Sequence, residues 1–192
     1  KTGSTDNWLV IGIPTVARSE NQDYLLQTLM SINQQLPSVP DDILFRRVKV
    51  IVVNIEGPSH KRFYEAQTTF SDRRYFEFVT LSEEYKASSK DFQDVKRGAT
   101  AENDQGNANI PGYRVRKQTR SVAQVLKRAG GYGKYYLFLE DDMLLCPNGF
   151  LSIQYILNKA SRYAPNWLAI RASYGLNGIF IHDKDINHFY HY

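Results

Sequence analysis

Short apolar runs, several rich in β-branched residues, alternate along this chain with longer segments of helical periodicity, and this alternation restricts the fold more than any other feature. Strands are predicted over residues 8–14, 48–55, 75–81, 135–139 and 167–171. Helices are predicted over residues 21–36, 59–70 and 113–128, and from Pro147, in the first turn, to about residue 163. Strands that alternate with helices connect by right-handed crossovers and form a largely parallel sheet with helices on both faces. The predicted fold class is therefore α/β.

Composition and charge exclude several classes of protein. The 192 residues are 42% hydrophobic and 23% charged, which argues against disorder of the whole chain. The net charge of +4 comes from small scattered groups of Lys and Arg, so no nucleic-acid partner is predicted. The single Cys146 excludes a disulfide framework and a cysteine-based zinc cluster. No apolar run is long enough to cross a bilayer, so membrane attachment is expected only through an anchor not present in this chain.

Residues 83–112 differ from the rest of the chain. They are rich in Lys, Asp, Ser, Gln, Asn and Gly and contain few large apolar side chains. Because a loop of this length in a compact domain is usually functional or disordered, we expect a mobile loop on the substrate side.

Ligands of open α/β sheets bind beyond the carboxyl ends of the strands, here residues 14–18, 55–60 and 140–143. Glu140, Asp141 and Asp142 directly follow an apolar strand, and strand alternation would place Glu140 and Asp142 on one side and Asp141 on the other. Like charges this close require compensation, which a hard divalent cation that also binds substrate phosphates provides. Acids that cap the next helix or lie solvated in a turn are the alternative.

The exit from the first strand supplies a second group of candidate residues. Pro14 fixes the backbone, so that Thr15 and Arg18 are expected to face the crevice. An arginine there can hydrogen-bond a phosphate or a base carbonyl, although an ordinary surface position is the alternative. Neither a G-x-G-x-x-G nor a Walker A sequence is present, which disfavours a Rossmann dehydrogenase or a P-loop kinase.

The helix predicted from residue 113 begins with basic side chains at Arg114, Arg116, Lys117 and Arg120. Because the positive end of a helix dipole disfavours cations, this pattern indicates an anionic group nearby, with simple solvent exposure as the alternative.

Several motifs together resemble a known family. Residues 10–18, Val-Ile-Gly-Ile-Pro-Thr-Val-Ala-Arg, and residues 24–31, Tyr-Leu-Leu-Gln-Thr-Leu-Met-Ser, look like the opening of the catalytic domain in the N-acetylglucosaminyltransferase IV family. The second strand, the pair Lys117-Gln118, the run Tyr-Tyr-Leu-Phe-Leu-Glu-Asp-Asp at residues 135–142 and the pair Pro147-Asn148 also resemble family motifs. The similarity runs in order from about residue 9 to residue 181 and is weakest over residues 82–111.

The resemblance implies a GT-A nucleotide-sugar transferase fold, with residues 1–192 as one catalytic domain that we expect to be incomplete at its C-terminus. It implies an inverting transfer of N-acetylglucosamine from UDP-N-acetylglucosamine to a mannose of an N-glycan or glycoprotein acceptor. It also implies Mn²⁺ (or Mg²⁺) as the cofactor and the Golgi lumen as the location.

By position in these motifs, the resemblance makes Asp142 the metal ligand. It assigns the nucleotide-sugar site to Pro14, Thr15, Arg18, Glu56, Lys117, Gln118, Glu140 and Asp141. Inversion requires a general base at the acceptor hydroxyl, and no acid in this chain matches a family base. Asp183 and Asp185 are available for that role, but no motif supports them.

Two other functions remain open from the sequence. One is a transferase-like module that binds a nucleotide sugar or glycan without turnover. The other is a metal-dependent nucleotidyltransferase, whose acids also hold a divalent cation.

Overall fold

The computed structural model describes residues 7–18, 22–90, 92–93 and 112–191. Within these ranges, six strands form one sheet: β1 (Asn7–Thr15), β2 (Val48–Asn54), β3 (Phe76–Thr80), β4 (Gly133–Phe138), β5 (Ala169–Arg171) and β6 (Ile179–His182). Their order across the sheet is β3-β2-β1-β4-β6-β5. Strands β1 to β4 pair in parallel, whereas β6 runs antiparallel to both β4 and β5. The predicted α/β class with a mostly parallel sheet is therefore confirmed.

The helices of the described residues are α1 (Tyr24–Asn33), α2 (Lys61–Thr69), α3 (Glu83–Ser88), α4 (Tyr113–Ala129), α5 (Gly149–Tyr163) and α6 (Ile186–His191). A short 3₁₀ turn at Asp183–Asp185 precedes α6. The predicted strands and helices are present with ends shifted by a few residues. Pro147 lies in the turn before α5 and not in its first turn, because Asn148 adopts a left-handed conformation with φ of 61°.

Strand β6 was not predicted, although it adds the antiparallel edge of the sheet. Its residues 179–182 form a four-residue run between a glycine turn and a polar segment, too short to distinguish from loop by periodicity. Its residue Phe180 pairs with Leu137 in the middle of β4 and is 1% exposed. Tertiary pairing with β4 therefore determines this strand.

The core has two halves, one on each face of the sheet, and alternate residues of β1 supply both. Leu9, Ile11 and Ile13 pack on one face with side chains of α1, α2 and α5, including Leu29, Phe63 and Leu157. Val10 packs on the other face with Val125 and Leu126 of α4 and with Tyr136 of β4. Because both faces are covered, β1 reads as a continuous apolar run.

Residues 83–112 were expected to form a loop, and the first part of this range is helical instead. Residues Glu83–Ser88 form α3, since the Ser82 hydroxyl accepts a hydrogen bond from the Tyr85 backbone N–H at 3.1 Å and two acids occupy the first turn. Phe92 is buried beside Tyr85, with the Arg120 guanidinium 4.1 Å from the centre of its ring. Residues 91 and 94–111 lie outside the described residues.

Candidate functional site

Three loops that follow β1, β2 and β4 meet at the carboxyl edge of the sheet, where the sequence places ligand binding. Thr15 is the last residue of β1, and its hydroxyl donates to Asp141 Oδ2 at 2.6 Å. His60, from the loop after β2, lies on the other side of the same hydroxyl, with Nε2 at 2.8 Å from Thr15 Oγ1. One buried hydroxyl therefore connects all three loops.

The predicted grouping of the acid triplet is wrong. Strand β4 ends at Phe138, so strand alternation does not continue into residues 140–142. Asp141 and Asp142 both contact Arg18, whose Nη2 lies 2.6 Å from Asp141 Oδ1 and 3.5 Å from Asp142 Oδ2. Glu140 instead bonds Asn177 and Gln118. The three acids nevertheless line a common cavity.

The carboxylates differ in how fully their oxygens are occupied. Asp141 is 4% exposed, and its two oxygens accept from Thr15 and Arg18. Glu140 accepts from the Asn177 amide and, at 3.3 Å, from the Gln118 amide. Asp142 has the 3.5 Å contact with Arg18, and its side chain is 38% exposed. Of the three acids, Asp142 is the one best placed to bind a ligand.

This donor set fits a cation that the protein holds through one or two carboxylates. Within the described ranges, no group of three or more His, Cys, Asp or Glu side chains could hold a metal by itself. A hard divalent cation bound by few carboxylates completes its coordination with water and substrate phosphates. Asp142 lines the cavity and could be the carboxylate that holds such a cation.

Asn177 fixes Glu140, and the sequence did not identify it. Its side-chain oxygen accepts from the Glu140 backbone N–H at 2.7 Å, and its amide donates to Glu140 Oε2. Asn177 is 5% exposed in the turn before β6, and the neighbouring Gly178 donates its N–H to Phe138 O at 3.1 Å. Gly175 and Gly178 both have positive φ in this turn, but only the pairing of β6 with β4 brings Asn177 to Glu140.

A polar stripe along α1 supports the backbone of the acid loop. The Thr28 hydroxyl donates to Asp141 O at 2.9 Å, and the Ser31 hydroxyl accepts from the Leu145 N–H at 3.0 Å. Gln35, just beyond α1, donates to Leu145 O and accepts from the Gly149 N–H at 2.9 and 2.8 Å. These polar positions recur at helical spacing on one side of α1, which was the available sequence signal.

The carboxylates around Arg18 keep its guanidinium protonated. Burial lowers the pKa of Arg18, but the hydrogen bond to Asp141 and the charges of Asp141, Asp142 and Glu140 outweigh it and raise the pKa. The side chain is 36% exposed and lines two adjacent cavities, one on the side of the acids and one on the side of His60. Arg18 is therefore a permanent cation between them.

The cavity on the acid side has a volume of about 300 Å³. The described residues that line it are Pro14, Val16 and Arg18 from the β1 exit, Arg114, Lys117, Gln118 and Ser121 from α4, and the three acids. Six of these side chains are charged, with cations and carboxylates in equal number. A group that carries both negative charge and a bound cation would match such a lining.

Two predicted site residues lie outside this cavity wall. Thr15 is 1% exposed and lies behind the wall, where it supports Asp141. Glu56 accepts from the Ala17 N–H at 3.0 Å and pairs with Lys117 Nζ at 3.4 Å. Glu56 thus joins the β1 exit to α4.

The basic start of α4 faces the acids, as its unusual charge indicated. No acidic residue occupies the first turn, and Gly112 provides no side-chain cap. Arg114 and Lys117 line the cavity with the triplet, and Lys117 also contacts Glu56.

Asp183 and Asp185 do not contribute to this site. Asp183 accepts a hydrogen bond from the Gly131 N–H at 2.8 Å, two residues before β4 begins, whereas the acid triplet lies beyond the other end of β4. Asp185 lines a larger, mostly apolar cavity of about 590 Å³ with Trp167 and His182. That cavity lies at the amino end of β4, so its size does not make it the candidate site.

Comparison with solved structures supports the fold. A crystal structure of S. aureus TarS 1-349 is 12% identical with a TM-score of 0.51, covering 95% of this chain and 49% of that chain. TarS 1-349 in complex with UDP is 15% identical with a TM-score of 0.45, covering 79% and 32%. Mouse xyloside xylosyltransferase 1 in its apo form is 9% identical with a TM-score of 0.45, covering 95% and 68%.

The fold of this chain is therefore that of GT-A glycosyltransferases, a conclusion that rests on the first of these structures. This chain spans about half the length of that structure's chain. No protein-family model matches the sequence, and no curated protein sequence matches it. The specific resemblance to the N-acetylglucosaminyltransferase IV family finds no support in these comparisons.

None of the helices in the part of the chain that the structure describes is long and apolar enough to span a membrane.

Proposed function

We propose that this chain is the donor-binding part of a divalent-metal-dependent, inverting glycosyltransferase that uses a UDP-sugar. The observation that carries the proposal is the cavity in which Asp142 lies beside Arg18 and two further carboxylates. This cavity occupies the carboxyl edge of a GT-A-type sheet, where ligands of such sheets bind.

The charges of the cavity support a diphosphate as the ligand. Arg18, Arg114 and Lys117 would donate hydrogen bonds to phosphate oxygens. Such hydrogen bonds are strong because donor and acceptor carry opposite charges. The three carboxylates alone would repel a diphosphate, and a cation bound at Asp142 would offset this repulsion. A divalent cation, when bound, neutralises charge that develops on the leaving diphosphate.

The remaining side chains of the site would position these groups. Asp141 has both oxygens bonded within the protein, so its role would be to hold Arg18. Glu140, held by Asn177 at the cavity wall, would face the ribose or the cation. Thr15 and Glu56 would support the β1 exit from outside the wall.

The finer assignments rest on the sequence resemblance. UDP-N-acetylglucosamine is the proposed donor, an N-glycan mannose the proposed acceptor, and Mn²⁺ or Mg²⁺ the proposed cation. A location in the Golgi lumen has the same support. Inversion also requires a general base, and no described side chain is assigned to it.

Calorimetric titration of UDP in the presence of Mn²⁺, repeated after chelation, tests the proposal directly. We expect binding that depends on Mn²⁺, followed by a preference among UDP-sugars. Absence of binding in a sample whose thermal unfolding is cooperative would contradict the proposal.

The two alternatives are separated with the same sample. Release of pyrophosphate from a nucleoside triphosphate would favour a nucleotidyltransferase. Binding of UDP-N-acetylglucosamine without hydrolysis or transfer to any glycan would favour a binding module.

A further inference from the structure

A buried chain of hydrogen bonds ends at Arg18. His60 Nε2 lies 2.8 Å from Thr15 Oγ1, which lies 2.6 Å from Asp141 Oδ2, while Arg18 Nη2 lies 2.6 Å from Asp141 Oδ1. His60, Thr15 and Asp141 are 3%, 1% and 4% exposed. Of these four hydrogen-bonded residues, only Arg18 has a largely exposed side chain at the cavity surface.

The donors in this chain have a defined direction. An ionised Asp141 can only accept, so the Thr15 hydroxyl uses its single proton there. The same hydroxyl can then only accept from His60, which requires the proton of the imidazole on Nε2. Every donor therefore points toward the carboxylate that holds Arg18.

The position of His60 is itself fixed by the turn after β2. Asn54 is fully buried at the end of β2, where its side chain donates to Gly57 O at 2.8 Å and accepts from the Glu56 and Gly57 N–H groups. Gly57 has a φ of 87°, which a residue with a side chain rarely adopts. His60 then donates its backbone N–H to Gly57 O at 3.3 Å. The imidazole thus comes from a rigid turn and not from a flexible loop.

We propose that His60 is a positioning residue, which acts through Thr15 and Asp141 to hold the Arg18 guanidinium in the orientation that a nucleoside diphosphate requires. Its part in ligand binding rests on the proposed function. Its effect on Arg18 rests on geometry alone and is measured without ligand.

The alternative is that His60 has a purely structural role at the start of α2, where the centre of its ring lies 6.2 Å from that of the Phe63 ring. Removal of the ring would then reduce stability without an effect specific to Arg18. The replacement His60→Gln separates these roles, because Gln places an N–H donor at about the position of Nε2 but has no ring. His60→Leu removes the donor and keeps an apolar side chain.

The first measurement is the NMR spectrum of the Arg18 guanidinium in the unliganded protein, assigned by its loss in Arg18→Lys. We expect restricted rotation of the guanidinium in the wild type and in His60→Gln, and free rotation in His60→Leu. His182→Leu is the control, since His182 packs on Trp167 at the other end of β4 and should leave the Arg18 signals unchanged. Identical Arg18 signals in wild type and His60→Leu would overturn the proposal.

The second measurement is the dissociation constant of UDP with Mn²⁺. We expect His60→Leu to weaken binding by about tenfold, as for loss of a residue that orients a binding group, and His60→Gln to recover most of it. Thr15→Val should weaken binding similarly and add little to His60→Leu, because both substitutions break one chain. Equal weakening by His60→Leu and His60→Gln would indicate a structural role and contradict the proposal.

The two proposals fail separately. If wild-type protein binds no UDP but Arg18 still loses its restricted rotation in His60→Leu, the transferase proposal fails and the positioning of Arg18 by His60 stands. If UDP binds with Mn²⁺ and His60→Leu binds it as the wild type does, the transferase proposal stands and this inference fails.

Discussion

The Thr15 hydroxyl donates a 2.6 Å hydrogen bond to Asp141, although the two residues are 126 positions apart in the chain. This bond joins the end of β1 to the loop after β4, inside the protein and next to the candidate site. Hydrogen bonds to a charged group are stronger than those between neutral groups, so this contact should contribute measurably to stability.

Thr15→Val should therefore lower the free energy of unfolding by about 1–3 kcal/mol, since it leaves buried partners without their hydrogen bond. Chemical denaturation measures the change. Thr15→Ser keeps the hydroxyl and should retain more of the stability. An unchanged midpoint for Thr15→Val would show that the bond contributes nothing.

Asp142→Asn should abolish the dependence of UDP binding on Mn²⁺, because an amide is a much poorer ligand for a hard divalent cation than a carboxylate. Calorimetry with and without Mn²⁺ measures the effect. Asp72→Asn is a matched control, since Asp72 is strongly exposed and lies outside the site cavity. Mn²⁺-dependent binding of wild-type strength in Asp142→Asn would exclude Asp142 as the ligand.

Asn177→Asp should destabilise the protein at neutral pH. The new carboxylate would lie against Glu140 Oε2, which now accepts from the Asn177 amide. Two close carboxylates disfavour ionisation of both, so the loss should shrink as the pH falls toward about 4. Denaturation at the two pH values tests this. A loss that does not depend on pH would point to altered packing instead.

Asp183→Asn should raise stability at neutral pH. Burial raises the pKa of Asp183, and hydrogen bonds from the backbone of Gly131, Gly133 and Tyr132 only partly oppose this. The folded state therefore favours the protonated acid. In an unfolded chain the pKa of an aspartate is about 4. The stability of the wild type should therefore fall as the pH rises from about 4 through the raised pKa of the folded state.

Denaturation from pH 4 to 7 should accordingly show that Asp183→Asn is more stable than the wild type by an amount that grows with pH and nearly vanishes at pH 4. Asp185→Asn provides the same chemical change two residues away. A constant difference between Asp183→Asn and wild type across this range would refute a raised pKa.

Tyr136→Phe should stabilise the protein by about 1 kcal/mol, because a buried hydroxyl without a partner is unfavourable. Among the described residues, no hydrogen-bond partner is found for the fully buried Tyr136 hydroxyl. Burial first, and then the charge of Asp183, raises its pKa. The ring lies against Gly12, where a Cβ atom would also come within 2.6 Å of Val125 Cγ1.

Thermal unfolding of Tyr136→Phe can be compared with Tyr135→Phe. The Tyr135 hydroxyl lies 3.1 Å from Ser161 Oγ, so its removal should reduce stability. If both substitutions reduce stability equally, the Tyr136 hydroxyl has a partner such as bound water.

Local sequence determined the strands and helices that position the site. The apolar runs of β1 and β4 read as strands because both sheet faces are covered, and the acids after β4 marked the carboxyl edge of the sheet. The resemblance of motifs also indicated the GT-A fold, which the structure supports. These inferences succeeded because periodicity and strand ends are properties of neighbouring residues.

Contacts between distant segments decided the rest. His60 lies within a range that the sequence marked, but no local pattern connects its ring to Thr15. Asn177 reaches Glu140 only because β6 pairs antiparallel with β4, and a four-residue strand carries too little periodicity to predict that pairing. The sequence alone thus determined strands β1 to β5, helices α1, α2, α4 and α5, and the carboxyl edge that holds the acids. Only the tertiary structure decided which acid is buried, which one remains available and which partners fix them, because those choices depend on hydrogen bonds between residues far apart in the chain.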